Sequence, residues 1–207
     1  IGSRVMGSEN HAKVGIIFDW ENYWALEYTS GPNRDLRYVD QIEQMYNYFY
    51  NKNIAVDMIP IDADFSKYDL VAAPVLYMVK DGVAESLEAY VQAGGTLITT
   101  YMSGIVGQSD NVHLGGYPGP LRKMAGVWVE EIDALAPEQR NKIRFADGTE
   151  EECRLVCDLM HLEGAEEIAQ YESDFYAGMT AVAKNQFGKG TVYYVGTELS
   201  ESGLAKV

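Results

Sequence analysis

The sequence predicts a doubly wound α/β domain with a mostly parallel sheet and a β-rich C-terminal part. Three observations support this fold class: an apolar run at residues 14–18, helical patterns that alternate with strand-like segments up to residue 101, and β-type segments within residues 127–197. A short run with two adjacent isoleucines is typical of a strand buried on both faces. Alternating strands and helices favour parallel strands joined by right-handed crossovers.

Strands and helices alternate in the first half of the chain. Residues 35–52 carry apolar side chains at helical spacing, and Asp35 is the expected N-cap. Residues 82–93 form the second predicted helix, which ends at the glycine pair 94–95. The predicted strands of this half are residues 14–18, 54–60, 68–75 and 96–101.

The second half of the sequence has little helical periodicity, so few helices are predicted there. Residues 103–120 are rich in glycine and proline, and a long irregular segment inside a compact domain is usually functional or interfacial. A short helix is expected at residues 121–125. Gly188 and Gly190 indicate a hairpin, after which residues 192–196 are expected to return to the main sheet. The predicted β segments are residues 127–135, 154–162, 166–171, 180–187 and 191–197.

Composition and charge narrow the functional classes. The chain has 207 residues, is 47% hydrophobic and carries a formal net charge of −15, which is typical of one globular domain. Because nucleic-acid binding relies on Lys and Arg that neutralise phosphate, neither nucleic acid nor a membrane surface is an expected partner. The sequence has no 18-residue apolar window and no signal-peptide pattern, so we expect a cytoplasmic protein. Cys153 and Cys157 lack the spacing of a zinc site and are expected to be reduced core thiols.

An acidic and aromatic stretch follows the first predicted strand. It contains Asp19, Trp20, Glu21, Tyr23 and Trp24. Since the carboxyl ends of parallel strands open onto the ligand crevice, we expect a loop here at the mouth of the sheet. The two acids are either a catalytic or metal-binding pair, or partners of loop amides and of Lys or Arg. The three aromatic residues favour a surface or an interface, because so many large rings within five residues are hard to bury together.

Ser103 lies near a strand end, where a nucleophile elbow would place a reactive side chain. The glycine that an elbow needs two residues earlier is absent, and none of His11, His113 and His161 is a convincing base. We therefore predict no catalytic residue, and treat Ser103 as a degenerate elbow position. The glycine-rich residues 115–119 match neither a P-loop nor a dinucleotide fingerprint, so no cofactor and no metal are predicted.

Four ordered motifs together resemble one known unit. They are residues 18–27 (FDWENYWALE), 94–97 (GGTL), 100–106 (TYMSGIV) and 114–121 (LGGYPGPL). The sequence is similar to the trimerisation domain of β-galactosidases of glycoside hydrolase family 42. That domain follows a catalytic (β/α)8 barrel, resembles class I glutamine amidotransferases in fold, and lacks their catalytic triad.

The resemblance implies a flavodoxin-like, amidotransferase-like trimerisation domain over residues 14–200, with a linker at 1–13 and a tail at 201–207. It implies no chemistry for this chain alone, and the chain, which begins with Ile, is expected to be a piece of a longer enzyme. The implied partners are two further copies of the chain in a homotrimer, the catalytic barrel, and a galactoside bound by that barrel. Trp20, Glu21, Tyr23 and Trp24 become candidates for the interface or for the rim of a neighbouring active site.

Two other functions follow from the residues themselves. A stand-alone amidotransferase-like hydrolase would use Ser103 as its nucleophile. A carbohydrate-binding module would stack a sugar on Trp20, Tyr23 and Trp24, since such rings suit sugar faces.

Overall fold

The computed structural model describes residues 2, 6–7, 11–29 and 31–207. The predicted linker at 1–13 lies largely outside these described residues. Within them, helices and strands form a mixed α/β fold dominated by one large sheet, so the α/β class is confirmed.

Five strands form the parallel region of the sheet. Strand β1 (Val14–Ile17) is buried along its whole length and pairs in parallel with β2 (Val56–Ile59) and β3 (Leu70–Ala73). Strand β4 (Thr96–Thr100) pairs with β3 on one side and with β10 (Gly190–Val195) on the other. The predicted return of residues 192–196 to the main sheet is therefore confirmed. The resulting order is β2-β1-β3-β4-β10.

Helix α1 (Trp20–Tyr28) occupies the stretch for which a loop was predicted, so that prediction is wrong. The helix forms because Asp19 caps it: one carboxylate oxygen accepts a hydrogen bond from the Asn22 amide at 3.0 Å. No glycine or proline interrupts the nine residues that follow. The acidic and aromatic side chains are therefore presented on a rigid element.

Helix α2 (Tyr38–Asn51) begins three residues later than predicted, and Asp35 is not its N-cap. The amide of Asp35 instead donates to Asn33 Oδ1, which forms a turn before the helix. The amide of Tyr38 donates to Glu27 Oε1 at 3.1 Å, so a side chain of α1 replaces a local cap. Helix α3 (Val83–Ala93) agrees with the prediction and ends at Gly94.

Six antiparallel strands continue the same sheet. They are β5 (Val127–Ala134), β6 (Asn141–Phe145), β7 (Glu150–Leu162), β8 (Glu166–Tyr171), β9 (Thr180–Phe187) and β11 (Thr197–Leu199). Strand β9 pairs with β10 through the predicted hairpin and joins the two regions. Strand β6 was not predicted, and β7 begins four residues earlier than expected. The parallel region is thus a smaller share of the sheet than the sequence suggested.

Apolar side chains pack on both faces of the parallel strands. Val14 and Ile16 of β1 face a cluster that contains residues of α1 and α2, whereas Ile17 faces a cluster that contains residues of α3. Cys153 and Cys157 are buried in a third cluster as free thiols, as predicted. The short helices α4 (Arg122–Ala125) and α5 (Glu201–Leu204) complete the fold.

Candidate functional site

Helix α1 exposes a row of aromatic side chains. Trp20, Trp24 and Tyr28 are 61%, 48% and 82% exposed, and their spacing of four residues places them on one side of the helix. We call these three residues the aromatic face. Single exposed apolar residues are common, but large rings at regular spacing are typical of a binding surface.

The base of the aromatic face is held by further rings. Phe18 meets Trp20 edge-on at 4.9 Å between centroids, and Trp24 lies 6.3 Å from Trp20 with the rings tilted by 36°. Tyr23 is half-buried and lies between Trp20 and the buried Tyr38. Burial raises the pKa of the Tyr38 phenol well above its usual value. The face is therefore a supported surface, because neighbouring rings restrict its side chains.

The two acids of α1 form ion pairs with Lys80. The Lys80 ammonium donates to Asp19 Oδ1 at 2.8 Å and also contacts the Glu21 carboxylate. Partial burial lowers the pKa of Lys80, but the hydrogen bonds to Asp19 and Glu21 outweigh it and raise that pKa above its usual value. Of the two interpretations of these acids, capping and pairing is the one the structure shows.

Asn22 is fully buried on the opposite side of α1 from the aromatic face. Its Nδ2 donates to the Val75 carbonyl at 3.0 Å, and its Oδ1 accepts from the Met78 amide at 2.7 Å. Sequence reasoning missed both Asn22 and Lys80. The sequence carried one signal, and it concerned Asn22. Its polar amide stands at a helical position that faces the core, and a buried amide needs hydrogen-bond partners.

The irregular segment after β4 lies beside the connector between β3 and α3, which we define as residues 74–82. Its backbone bonds to that connector, with the Gly104 amide donating to Leu76 and the Ile105 amide to Tyr77. Farther along, the Leu114 side chain is 97% exposed. The predicted irregular segment is thus fixed at its base and presents an apolar residue to solvent.

Ser103 is completely buried. Its hydroxyl oxygen accepts from the Leu76 amide at 3.0 Å, and the Thr99 hydroxyl lies 2.9 Å away. Among the described residues no histidine is hydrogen-bonded to Ser103. The residue before it, Met102, has a positive φ of 58°, a conformation that is uncommon outside glycine. The structure therefore gives Ser103 a bonding role within the core.

One buried carboxyl group lies between the two regions of the sheet. Asp158 of β7 accepts a hydrogen bond at Oδ2 from the Tyr194 hydroxyl at 2.6 Å, while its Oδ1 has no partner. Burial raises the pKa of Asp158 to about 7, although the Tyr194 hydrogen bond acts in the opposite direction. This group is ionisable near neutral pH.

In the part of the chain that the structure describes, no three His, Cys, Asp or Glu side chains come together in a way that would hold a metal ion. Over those same residues, no helix is long and apolar enough to cross a membrane.

An exposed aromatic face on a rigid α/β frame is typical of a domain that binds another protein surface. Residues 12–207 match the family described as the β-galactosidase trimerisation domain. The chain belongs to that family.

The chain is also similar to part of several β-galactosidases. β-Galactosidase LacZ of Lactobacillus acidophilus is 50% identical over 206 residues, which cover 100% of this chain and 31% of that protein. The crystal structure of a β-galactosidase from Bacillus circulans sp. alkalophilus matches 97% of this chain and 30% of its own, with a TM-score of 0.95 and 44% identity. A β-galactosidase from Rahnella sp. R3 matches 99% of this chain and 31% of its own, also with a TM-score of 0.95 and 44% identity. The chain therefore spans about a third of these relatives.

Proposed function

We propose that this chain assembles a β-galactosidase of glycoside hydrolase family 42 into a homotrimer, and that the aromatic face is part of the contact. The exposure of Trp20 and Trp24 on one side of α1 is the observation that carries this proposal. A threefold ring uses two different patches on each subunit, so the face would meet another surface of the next copy. Tyr23 supports the face from below and belongs to the same contact.

The remainder of the longer protein would supply the chemistry. Glycoside hydrolysis uses two carboxyl groups, and the family resemblance assigns both to the catalytic barrel, together with the galactoside site. Asp19 and Glu21 are bound to Lys80 in the structure, which supports keeping them out of that role. The rim of the active site in a neighbouring subunit would be reached by Trp20, Glu21 and Trp24. The Glu21 side chain is 58% exposed in spite of its ion pair, which supports this placement.

The same proposal includes the finer fold class, a doubly wound, flavodoxin-like domain related to class I glutamine amidotransferases. The strand order β2-β1-β3-β4-β10 supports it, because it has the flavodoxin-like sequence of neighbours. Apolar clusters on both faces of β1 support it as well. The positive φ of Met102 fits a strained elbow at the end of β4 in which a nucleophile has been lost. The cytoplasmic location stays a prediction.

The test is made in the full-length protein. Trp20→Ala combined with Trp24→Ala is expected to weaken the trimer and to lower galactoside turnover, since both large contact surfaces are lost. Phe175→Ala is the matched control, because Phe175 is an aromatic residue that is 74% exposed on the loop between β8 and β9. If the double variant keeps its assembly state and turnover while folding normally, the aromatic face is not the contact.

A carbohydrate-binding function is the second candidate, and the exposed, tilted pair of Trp20 and Trp24 favours it. Quenching of tryptophan fluorescence by galactose in this chain would support it. The hydrolase alternative has less support, because Ser103 is buried and hydrogen-bonded. A serine-directed covalent probe is expected to leave Ser103 unlabelled.

A further inference from the structure

The connector at residues 74–82 is held in a strained shape. Val75 has a φ of 48°, which is unusual for a β-branched residue. The Val75 amide donates to the Thr100 hydroxyl at 2.8 Å, and the Leu76 amide donates to Ser103. Such strain persists only where the surroundings over-determine the backbone, and it clusters at functional sites.

Helix α1 is attached to this connector by polar side chains of its first turn. Asn22 bonds both the Val75 carbonyl and the Met78 amide, and Lys80 reaches back to Asp19 and Glu21. These bonds attach α1 to the connector at Val75, Met78 and Lys80. Several separate attachment points restrict both the translation of α1 along the connector and the rotation of α1 about its own axis. Apolar contacts alone, such as those of Ala25 and Leu26, are non-directional.

The identity of residue 22 points to orientation as the reason for these bonds. Asparagine is a poorer helix former than leucine, and a buried amide is costly unless its partners are in place. Asn22 is buried next to Ala25 and Leu26, where an apolar residue would fill the same space. The Asn22 amide fixes α1 in one position, because any rotation of the helix would break both hydrogen bonds of this amide.

We propose that Asn22, assisted by Lys80, is the positioning residue of the aromatic face: it locks α1 onto the connector so that Trp20, Trp24 and Tyr28 are held in one orientation. The consequence for assembly rests on the proposed function. The orientation of the face does not, and it is measured separately.

The first readout follows the face itself. The experiment uses this chain by itself, in which Trp128→Phe leaves only Trp20 and Trp24 of its 3 tryptophans. In that background, Asn22→Leu is expected to raise acrylamide quenching of tryptophan fluorescence about twofold. It is also expected to speed hydrogen exchange of the Met78 amide about tenfold or more. Both changes are expected because the loss of two hydrogen bonds allows α1 to open locally. Ile143→Ala is the control, because it removes a buried side chain of β6, far along the sheet from α1. It is expected to lower overall stability without changing either readout.

Lys80 gives a second variant that leaves the buried amide intact. Lys80→Met removes both ion pairs and keeps the hydrocarbon stem, so it should raise quenching in the same direction, and Lys80→Arg should restore it. If Asn22→Leu does not fold, this pair decides the matter. Unchanged quenching and exchange in Asn22→Leu, or in Lys80→Met when the former is unfolded, would overturn the positioning role.

Assembly is then compared in the full-length protein. Asn22→Leu is expected to weaken self-association about tenfold, as the aromatic residues are no longer presented together. If Trp20→Ala with Trp24→Ala leaves association unchanged, the proposed contact fails, and the quenching experiment still decides what Asn22 does. If the tryptophan variant weakens association and Asn22→Leu leaves both association and quenching intact, only the positioning role fails.

Discussion

Asn22 and Asp158 are both buried polar residues, yet their surroundings differ. Asn22 is neutral, and both atoms of its amide are bonded to the connector. Asp158 lies between the parallel and antiparallel regions, is ionisable, and has one oxygen without a partner. A fully satisfied neutral group defines a geometry at little cost, whereas a half-satisfied carboxyl group makes stability depend on pH. Asn22 is therefore suited to holding a binding surface in one geometry, whereas Asp158 lowers the stability of the fold when its carboxyl group ionises.

The largest expected effect concerns pH and Asp158. Since its pKa is raised from 3.8 to about 7 on folding, the folded protein binds this proton more tightly than the unfolded chain does. Its contribution is complete below about pH 4 and is lost as pH rises towards 7, a change of about 4 kcal/mol. Urea unfolding of the wild type and of Asp158→Asn across this range measures it.

The variant isolates the group from the other carboxylates. The difference in unfolding free energy between Asp158→Asn and wild type should grow in favour of the variant as pH rises from 4 to 7. The ionisable groups that interact with this carboxyl are the buried phenols of Tyr101, Tyr171 and Tyr194. Burial raises the pKa of each phenol well above its usual value, so none of them titrates in this window. A pH-independent difference would contradict the assignment.

The next effect is that of Asn22→Leu on stability. The substitution leaves the Val75 carbonyl and the Met78 amide without their side-chain partner, so we expect a loss of about 3 kcal/mol. In contrast to Asp158, the loss should be independent of pH. Urea titrations at two pH values measure both features, and a loss that varied with pH would show that the two sites are coupled.

Ser103→Ala is expected to cost about 2 kcal/mol, because the buried Leu76 amide loses its acceptor. Thermal unfolding measures this loss. Ser66→Ala is a suitable control, since the Ser66 hydroxyl is exposed and bonds only to Asp64 of its own turn. Equal effects of the two substitutions would contradict the structural role of Ser103.

The smallest effect is that of Lys80→Met on global stability. The ammonium is partly exposed, and ion pairs near the surface contribute little after solvent screening, so we expect about 1 kcal/mol or less. The loss should shrink in high salt. A loss that does not change with salt would contradict its assignment to the ion pairs with Asp19 and Glu21.

Elements with strong local signals were predictable from the sequence. Strand β1 is a buried apolar run, helix α3 is bounded by Gly82 and Gly94, and the β9–β10 hairpin turns at Gly188. Strand β6 was missed because only Ile143 and Phe145 are apolar among its five residues. Helix α1 was missed because its exposed tryptophans hide the usual contrast between a polar and an apolar side.

The candidate site was predictable only in part. A surface or interface role was predicted for Trp20, Tyr23 and Trp24 from the crowding of large rings. The structure leaves Trp20 and Trp24 exposed and Tyr23 half-buried, and the role itself stays a prediction. Their support was not predictable, because Val75, Met78 and Lys80 are more than 50 residues away in the chain from the Asn22 and Asp19 side chains that they bind. Hydrogen-bond partners of this kind become visible only when the sheet brings β3 beside β1.

The most direct test of the central claim is the solution mass of the full-length protein by light scattering over a concentration series. The account predicts three times the mass of one chain for the wild type and for Phe175→Ala, and a smaller mass at equal concentration for Trp20→Ala with Trp24→Ala. A folded double variant that keeps the trimer mass down to the lowest concentration would contradict the assignment of the aromatic face as the assembly surface.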